Sequence, residues 1–216
     1  MKRTDITSSI VSRYQERYRE HGDDHKALGW PRLEEVAVRH QAMLDVMLYH
    51  SPKLTLLDFG CGLSHLYRYM LDTMPNAARP VYVGLDIVPE FIMTSRTKYP
   101  GVSYYYGDIL NEAFASTLPD FDYVVCNGVF TEKAEVIFDD MWLYFHAVIG
   151  KLFDLARVGL AYNVMSPYRR RRRDLFQVPM GMMAQFVAEK LNAKRFAIRH
   201  DYGLPDYTVY VYKSAI

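Results

Sequence analysis

The stretch Leu54-Thr55-Leu56-Leu57-Asp58-Phe59-Gly60-Cys61-Gly62-Leu63-Ser64 runs from a short apolar segment through two glycines towards the amphipathic segment 65–74. An apolar run of this length reads as a buried strand, and the segment after it as a helix. Gly60 and Gly62 lack a Cβ, so the turn between them can be tight and a ligand can approach the backbone closely. Ser64 is of the residue class that caps helix N-termini. About 25 residues on, a second strand, 80–86 (PVYVGLD), ends in Asp86. A carboxylate there can accept hydrogen bonds from both hydroxyls of a ribose. Strand, glycine turn, helix, strand and terminal acid each have a role in one nucleoside site.

Outward from this stretch, strand-like runs at 102–108, 121–127 and 158–164 alternate with helical stretches at 89–99 and 139–156. Strict alternation of this kind predicts βαβ units and a parallel sheet covered on both faces. The segments 194–200 and 207–213, joined by the turn-rich DYGLPD, read instead as an antiparallel pair at one edge. The expected class is α/β, a doubly wound, mostly parallel seven-stranded sheet with an antiparallel last strand and a helical N-terminal extension. Residues 1–50 are expected to form that extension, a helical cap on the domain 51–216. In it Ile6, Ile10, Tyr14 and Tyr18 recur at helical spacing, a polar break follows at 21–31, and a second helix is expected from about Pro31 to Tyr49. Pro31 suits a first helical turn, where its missing N–H is not needed.

A dinucleotide site would want a third glycine, G-x-G-x-x-G, to bring backbone amides to a pyrophosphate. Here His65 stands three residues after Gly62, and Asp58 precedes the glycines. An acid there repels pyrophosphate and suits a ligand with an ammonium group. A nucleoside bearing an amino acid fits both ends of the site, and a nicotinamide-dependent oxidoreductase is disfavoured.

On these residues the chain resembles the class I, Rossmann-like S-adenosylmethionine-dependent methyltransferases over about residues 31–212. LLDFGCGLS is similar to the first family motif, with Ser64 where a third glycine is usual. The resemblance implies S-adenosylmethionine as cofactor, held by Asp58, Gly60 and Gly62, with Asp86 on the ribose and Ile87 beside the adenine. It implies Asp108 and Ile109 at the adenine edge, and Asn127 where methyl donor and acceptor meet. Asp108 also fits an ordinary Gly-Asp turn pair. Arg39 is a candidate for the cofactor carboxylate, because a guanidinium forks onto a carboxylate; a helix-surface arginine is the alternative. The GW…R-H stretch around Trp30 and Arg39 is similar to a leading-helix motif of some bacterial small-molecule methyltransferases. Tyr14, Tyr18 and Trp30 are candidates for the substrate pocket, as are Arg169 and Arg170 from the run 169–173. That run is either a solvated loop or a seat for an anionic acceptor. The (N/D)PP(Y/F) signature of amino methylation is missing, no general base can be assigned, and His146 reads as a core or rim histidine. In the family's strand order the first and fourth strands are neighbours. Cys61 and Cys126 are then expected as free thiols at the same sheet edge, and no metal site is expected.

The function expected is methylation of a small molecule at oxygen or nitrogen. A nucleic-acid methyltransferase is the alternative raised by the arginine run, and a nucleoside-binding protein without catalysis is a third. The 26 basic and 25 acidic residues leave a net charge of +1, which argues against a generalised polyanion-binding face. The polar start and the absence of a long apolar run give no signal peptide or membrane span, so a cytoplasmic setting is expected. Composition says nothing of oligomeric state.

Overall fold

A computed structural model describes residues 3–168 and 172–213. Its seven strands are β1 (Thr55–Phe59), β2 (Val81–Asp86), β3 (Ser103–Tyr106), β4 (Phe121–Phe130), β5 (Ala156–Met165), β6 (Arg195–Arg199) and β7 (Asp206–Tyr212). They form one sheet in the order β3-β2-β1-β4-β5-β7-β6. The pairs among β1 to β5 are all parallel, and β7 runs antiparallel to both β5 and β6. This is the doubly wound sheet that the alternation implies. The strand order reverses at β1 and β4, where such sheets open a crevice at their carboxyl ends.

Period-2 alternation sets the two faces. Leu57, Val83, Leu85, Val124, Cys126, Leu160 and Tyr162 point into one core, with Phe145, Val148, Ile149 and Leu152 from α6 (Phe138–Leu155). Leu56, Tyr82, Tyr123, Val125 and Ala161 point into the other. There they meet Met43 and Leu44 of α2 (Leu33–Leu44), Leu66 and Met70 of α3 (His65–Thr73), and Ile92 of α4 (Pro89–Lys98). Burying each such aliphatic or aromatic side chain contributes roughly 1.5–3 kcal/mol. Cys61 and Cys126 are both free and buried, one in each of these cores.

Several boundaries differ from the sequence reading. The N-terminal extension is α1 (Arg3–His21), then one 3₁₀ turn, His25–Leu28, inside the supposed polar break. Asp24 caps that turn by accepting from the Lys26 N–H at 2.9 Å, and Gly29 ends it at φ +77°. The second helix is shorter than 31–49: Pro31 lies outside it, Arg32 is the extended residue before it, and it stops at Leu44. β4 does not end at Asn127 but continues to Phe130 through a register shift after Cys126, with Gly128 at φ +79°. Among the described residues there are also two short helices, α5 (Glu112–Ala115) and α7 (Met180–Gln185), the second followed directly by a π-helical turn, Phe186–Lys190. No helix among the described residues is long and apolar enough to cross a membrane.

Candidate active site

The turn after β1 sits at the reversal of strand order. The Gly60 and Cys61 N–H groups both donate to the Leu85 carbonyl, at 2.8 and 3.1 Å, which ties the turn to the end of β2. Gly60 and Gly62 hold φ of +71° and +52°, the region that L side chains avoid. A Cβ on Gly60 would lie 2.3 Å from Val129 Cγ2, and one on Gly62 2.6 Å from Leu28 Cδ2. Conformation favours glycine at both positions, and at Gly60 the Val129 methyl also leaves no room for a Cβ.

Ser64, where the family pattern has glycine, adopts φ +60°. It precedes α3 as expected, but its side chain does not cap the helix. Its fully buried Oγ bonds Ser95 Oγ at 2.8 Å and the Tyr104 hydroxyl at 2.9 Å. These two bonds hold a serine in a glycine's conformation, so the departure from the motif preserves the turn.

Asp86 ends β2 and is buried at the turn. Its Oδ2 accepts from the Gly62 N–H and its Oδ1 from the Val88 N–H, both at 2.8 Å. Each carboxylate oxygen keeps a further lone pair. Burial pushes the Asp86 carboxyl up to about 6, against the pull of those backbone donors. Asp58 is pushed up to about 7, by burial first, with Asp86 adding to it and a hydrogen bond from Tyr82 opposing it.

These groups border a cavity of about 740 Å³ that includes its open mouth. Gly60, Gly62, Asp86, Ile87, Asp108, Ile109 and Asn127 all line it, as do Tyr14 and Trp30 from the N-terminal segment. One end is made by Ile87, Val88, Phe91, Asp108 and Ile109, apolar walls with a carboxylate at the edge. Asp108 Oδ1 takes the Leu110 N–H at 2.9 Å, the turn role also foreseen for it. Asn127 Oδ1 accepts from Asn163 Nδ2 at 3.1 Å, so its own Nδ2 is not engaged in that bond.

Three expectations fall elsewhere. Asp58 is not in the cavity wall; its Oδ2 accepts from the Tyr82 hydroxyl at 2.7 Å beneath the turn. Arg39 is neither on the helix surface nor in the cavity wall. It is 4% exposed and paired with Asp206 at 2.9 Å and Glu35 at 3.1 Å, beneath the Trp30 ring. Tyr18 packs edge-on against Phe91 and bonds Thr94 Oγ1 at 2.7 Å, behind the wall. Arg169 and Arg170 lie outside the described residues. His146 stacks on Phe186 with ring centroids 4.2 Å apart, the rim position expected of it.

The sequence reading missed Asn163 and Asp206. Asn163 Oδ1 accepts from the Gly128 N–H at 2.7 Å, and its Nδ2 donates to Asp206 Oδ2 at 2.9 Å. A fully buried relay thus runs from Arg39 through Asp206 and Asn163 to the bulge at 127–128. Its one sequence signal was a lone Asn inside the apolar run 158–164.

The cavity fits an adenosyl compound. Asp86 has acceptor capacity left beside the glycine turn, and the apolar end suits a flat heterocycle. Residues 57–138 match the family described as Methyltransferase domain. The Mycobacterium tuberculosis (strain ATCC 25618 / H37Rv) protein named "Putative methyltransferase Rv1506c" is 25% identical over 161 residues, 73% of this chain and 92% of that one. Magnesium protoporphyrin IX methyltransferase (ChlM) from Synechocystis PCC 6803, solved with bound SAH, superposes with a TM-score of 0.63. The identity is 14%, over 99% of this chain and 100% of that one. The N-methyltransferase NodS from Bradyrhizobium japonicum WM9, in complex with S-adenosyl-L-homocysteine, gives 0.62 at 16% identity over 94% and 98%. Residues 57–138 thus form a methyltransferase domain, and the whole chain has the fold of S-adenosylmethionine-dependent methyltransferases.

Proposed function

We propose that this methyltransferase acts on a small molecule, at oxygen or nitrogen, within the cavity between the glycine turn and the N-terminal helix. The observation that carries this reading is the roof. Ile10 and Tyr14 of α1, with Leu28 and Trp30 after it, line the same cavity as Asp86 and Asn127. A roofed pocket suits an acceptor that enters whole and suits a polymer poorly. The nearly neutral charge of the chain points the same way.

S-adenosylmethionine supplies an electrophilic methyl group on a sulfonium. The chain's own residues bind and align. Asp86 would accept the ribose hydroxyls with its remaining lone pairs, and Ile87, Phe91 and Ile109 would hold the adenine, with Asp108 at its edge. Asn127, held by Asn163, offers its amide N–H beside the bulge, and Tyr14 and Trp30 keep water out. No side chain in the cavity wall is assigned a proton transfer; holding nucleophile and methyl in line supplies much of the acceleration by itself.

The test is methyl transfer from labelled S-adenosylmethionine into a mixture of small hydroxylated and amino acceptors, run beside total RNA. Label in the small-molecule fraction alone is the expected result. Label in RNA alone would overturn the reading.

A further inference from the structure

Arg13 and Arg17 stand one helical turn apart on α1, on either side of Tyr14, whose ring lines the cavity. Their guanidinium carbons lie 5.8 and 5.6 Å from the centre of that ring. Both turn to one carboxylate. Arg17 Nη2 donates to Glu132 Oε1 and Oε2 at 3.0 and 2.9 Å, and Arg13 Nη1 lies 3.6 Å from Oε2. Two positive charges thus share one negative charge. Two of their nitrogens, Arg13 Nε and Arg17 Nη1, are buried with no hydrogen-bond partner among the described residues.

A native protein rarely leaves buried donors unmade, and a specific exception asks for a missing partner. Here the missing partner must be an acceptor and should be anionic, because the cluster has one positive charge in excess. Guanidinium forks match the planar pair of oxygens in a carboxylate and the edge of a phosphate. The place also fits. Glu132 follows the bulge of β4 by four residues, counted from Gly128, and the Tyr14 ring that both guanidinium groups approach is itself part of the cavity wall.

We propose that Arg13 and Arg17 form an oxyanion-binding subsite for the acceptor, whose carboxylate or phosphate group docks on them while its nucleophile reaches past Tyr14 into the cavity. Glu132 occupies part of that subsite and competes with the acceptor's anion. The run 169–173 is not needed for this: Arg172 is already paired with Asp174. The proposal rests on the small-acceptor reading, but each fails by its own result. Label transfer to RNA alone would sink that reading, and the binding measurements below would sink this one.

The probes are benzoate, its neutral counterpart benzamide, and inorganic phosphate. Each is titrated calorimetrically into protein saturated with S-adenosylhomocysteine. Benzoate or phosphate should bind at least fivefold more tightly than benzamide, and whichever of the two binds names the oxyanion. Arg13→Gln with Arg17→Gln should abolish the preference for the anion, while S-adenosylhomocysteine affinity stays within about threefold. Glu132→Gln should tighten the anion by about fivefold, a gain that a merely structural tether between α1 and β4 would not produce. No preference for either anion in the wild type, or anion affinity in Glu132→Gln no tighter than in the wild type, would overturn the proposal.

Discussion

Asp86 and Asp58 are two buried acids 28 residues apart in sequence, and they have opposite relations to the cavity. Asp86→Ala should weaken S-adenosylmethionine binding by about 1.5–3 kcal/mol, the range for hydrogen bonds to a charged group, read by calorimetry; unchanged affinity would remove it from the site. Asp58 acts on stability instead. Burial raises its carboxyl from the ordinary 3.8 to about 7, and that of Asp86 to about 6. Between pH 4 and 7 the folded chain therefore holds more protons than the unfolded one. The contribution of both groups is full below pH 4 and is lost as pH rises through 6 to 7, on the order of a few kcal/mol. Asp58→Asn keeps an oxygen for the Tyr82 hydroxyl and removes the charge. It should flatten the pH dependence of the melting temperature of cofactor-free protein in that window and raise it at pH 8. An unaltered slope would show that Asp58 is not the group that titrates. The acid before the glycines was visible in sequence, but its direction was not. Which face of β1 carries Asp58 depends on register, and the buried hydroxyl it meets belongs to a tyrosine 24 positions away.

At the scale of the element, the strands and the glycine turn were legible because period 2, apolar runs and paired glycines are local signals. The bulge in β4 was not. Nothing in CNGVF distinguishes a strand that ends at Asn127 from one that shifts register and continues, since the shift is held by Asn163 on the neighbouring strand. The short second helix escaped for a similar reason: its apolar pattern continues through Val46 and Met47, which are buried by a turn and not by a helix. The bulge gives a sharp test. Gly128 sits at φ +79°, and a Cβ there would lie 2.3 Å from Trp30 Cζ2. Gly128→Ala must both strain the backbone, by about 1–2 kcal/mol, and push the indole out of the cavity roof. The melting temperature should fall and the Trp30 fluorescence should shift to the red as the ring meets water. A variant with wild-type emission would mean that the roof does not rest on the bulge.

For the whole molecule, the wall of the cavity drew on distant segments, which is why its Asp, Gly and Asn members were readable and its supports were not. Arg39 looked like a ligand because only its neighbour in space, Asp206, reveals it as an ion pair. That pair joins positions 167 residues apart, and β7, which carries Asp206, fills the slot between β5 and β6, so β6 has no place in the sheet until β7 is in it. The order of assembly follows. The local βαβ units can form early, whereas the closure that brings Asp206 of β7 to Arg39 of α2 spans 167 residues, has a larger loop entropy to overcome and comes late. A contact made after the rate-limiting step affects only the way out. Asp206→Asn should leave the refolding rate almost unchanged and speed unfolding about thirtyfold, for a loss of about 2 kcal/mol, with Glu35 still beside the guanidinium. Both arms of a stopped-flow denaturant series would show it, and equal slowing of refolding would place the pair in the folding nucleus. The same ion pair that props up the roof of the cavity then acts as the latch of the fold, setting how long the native state persists and having little to do with how fast it is reached.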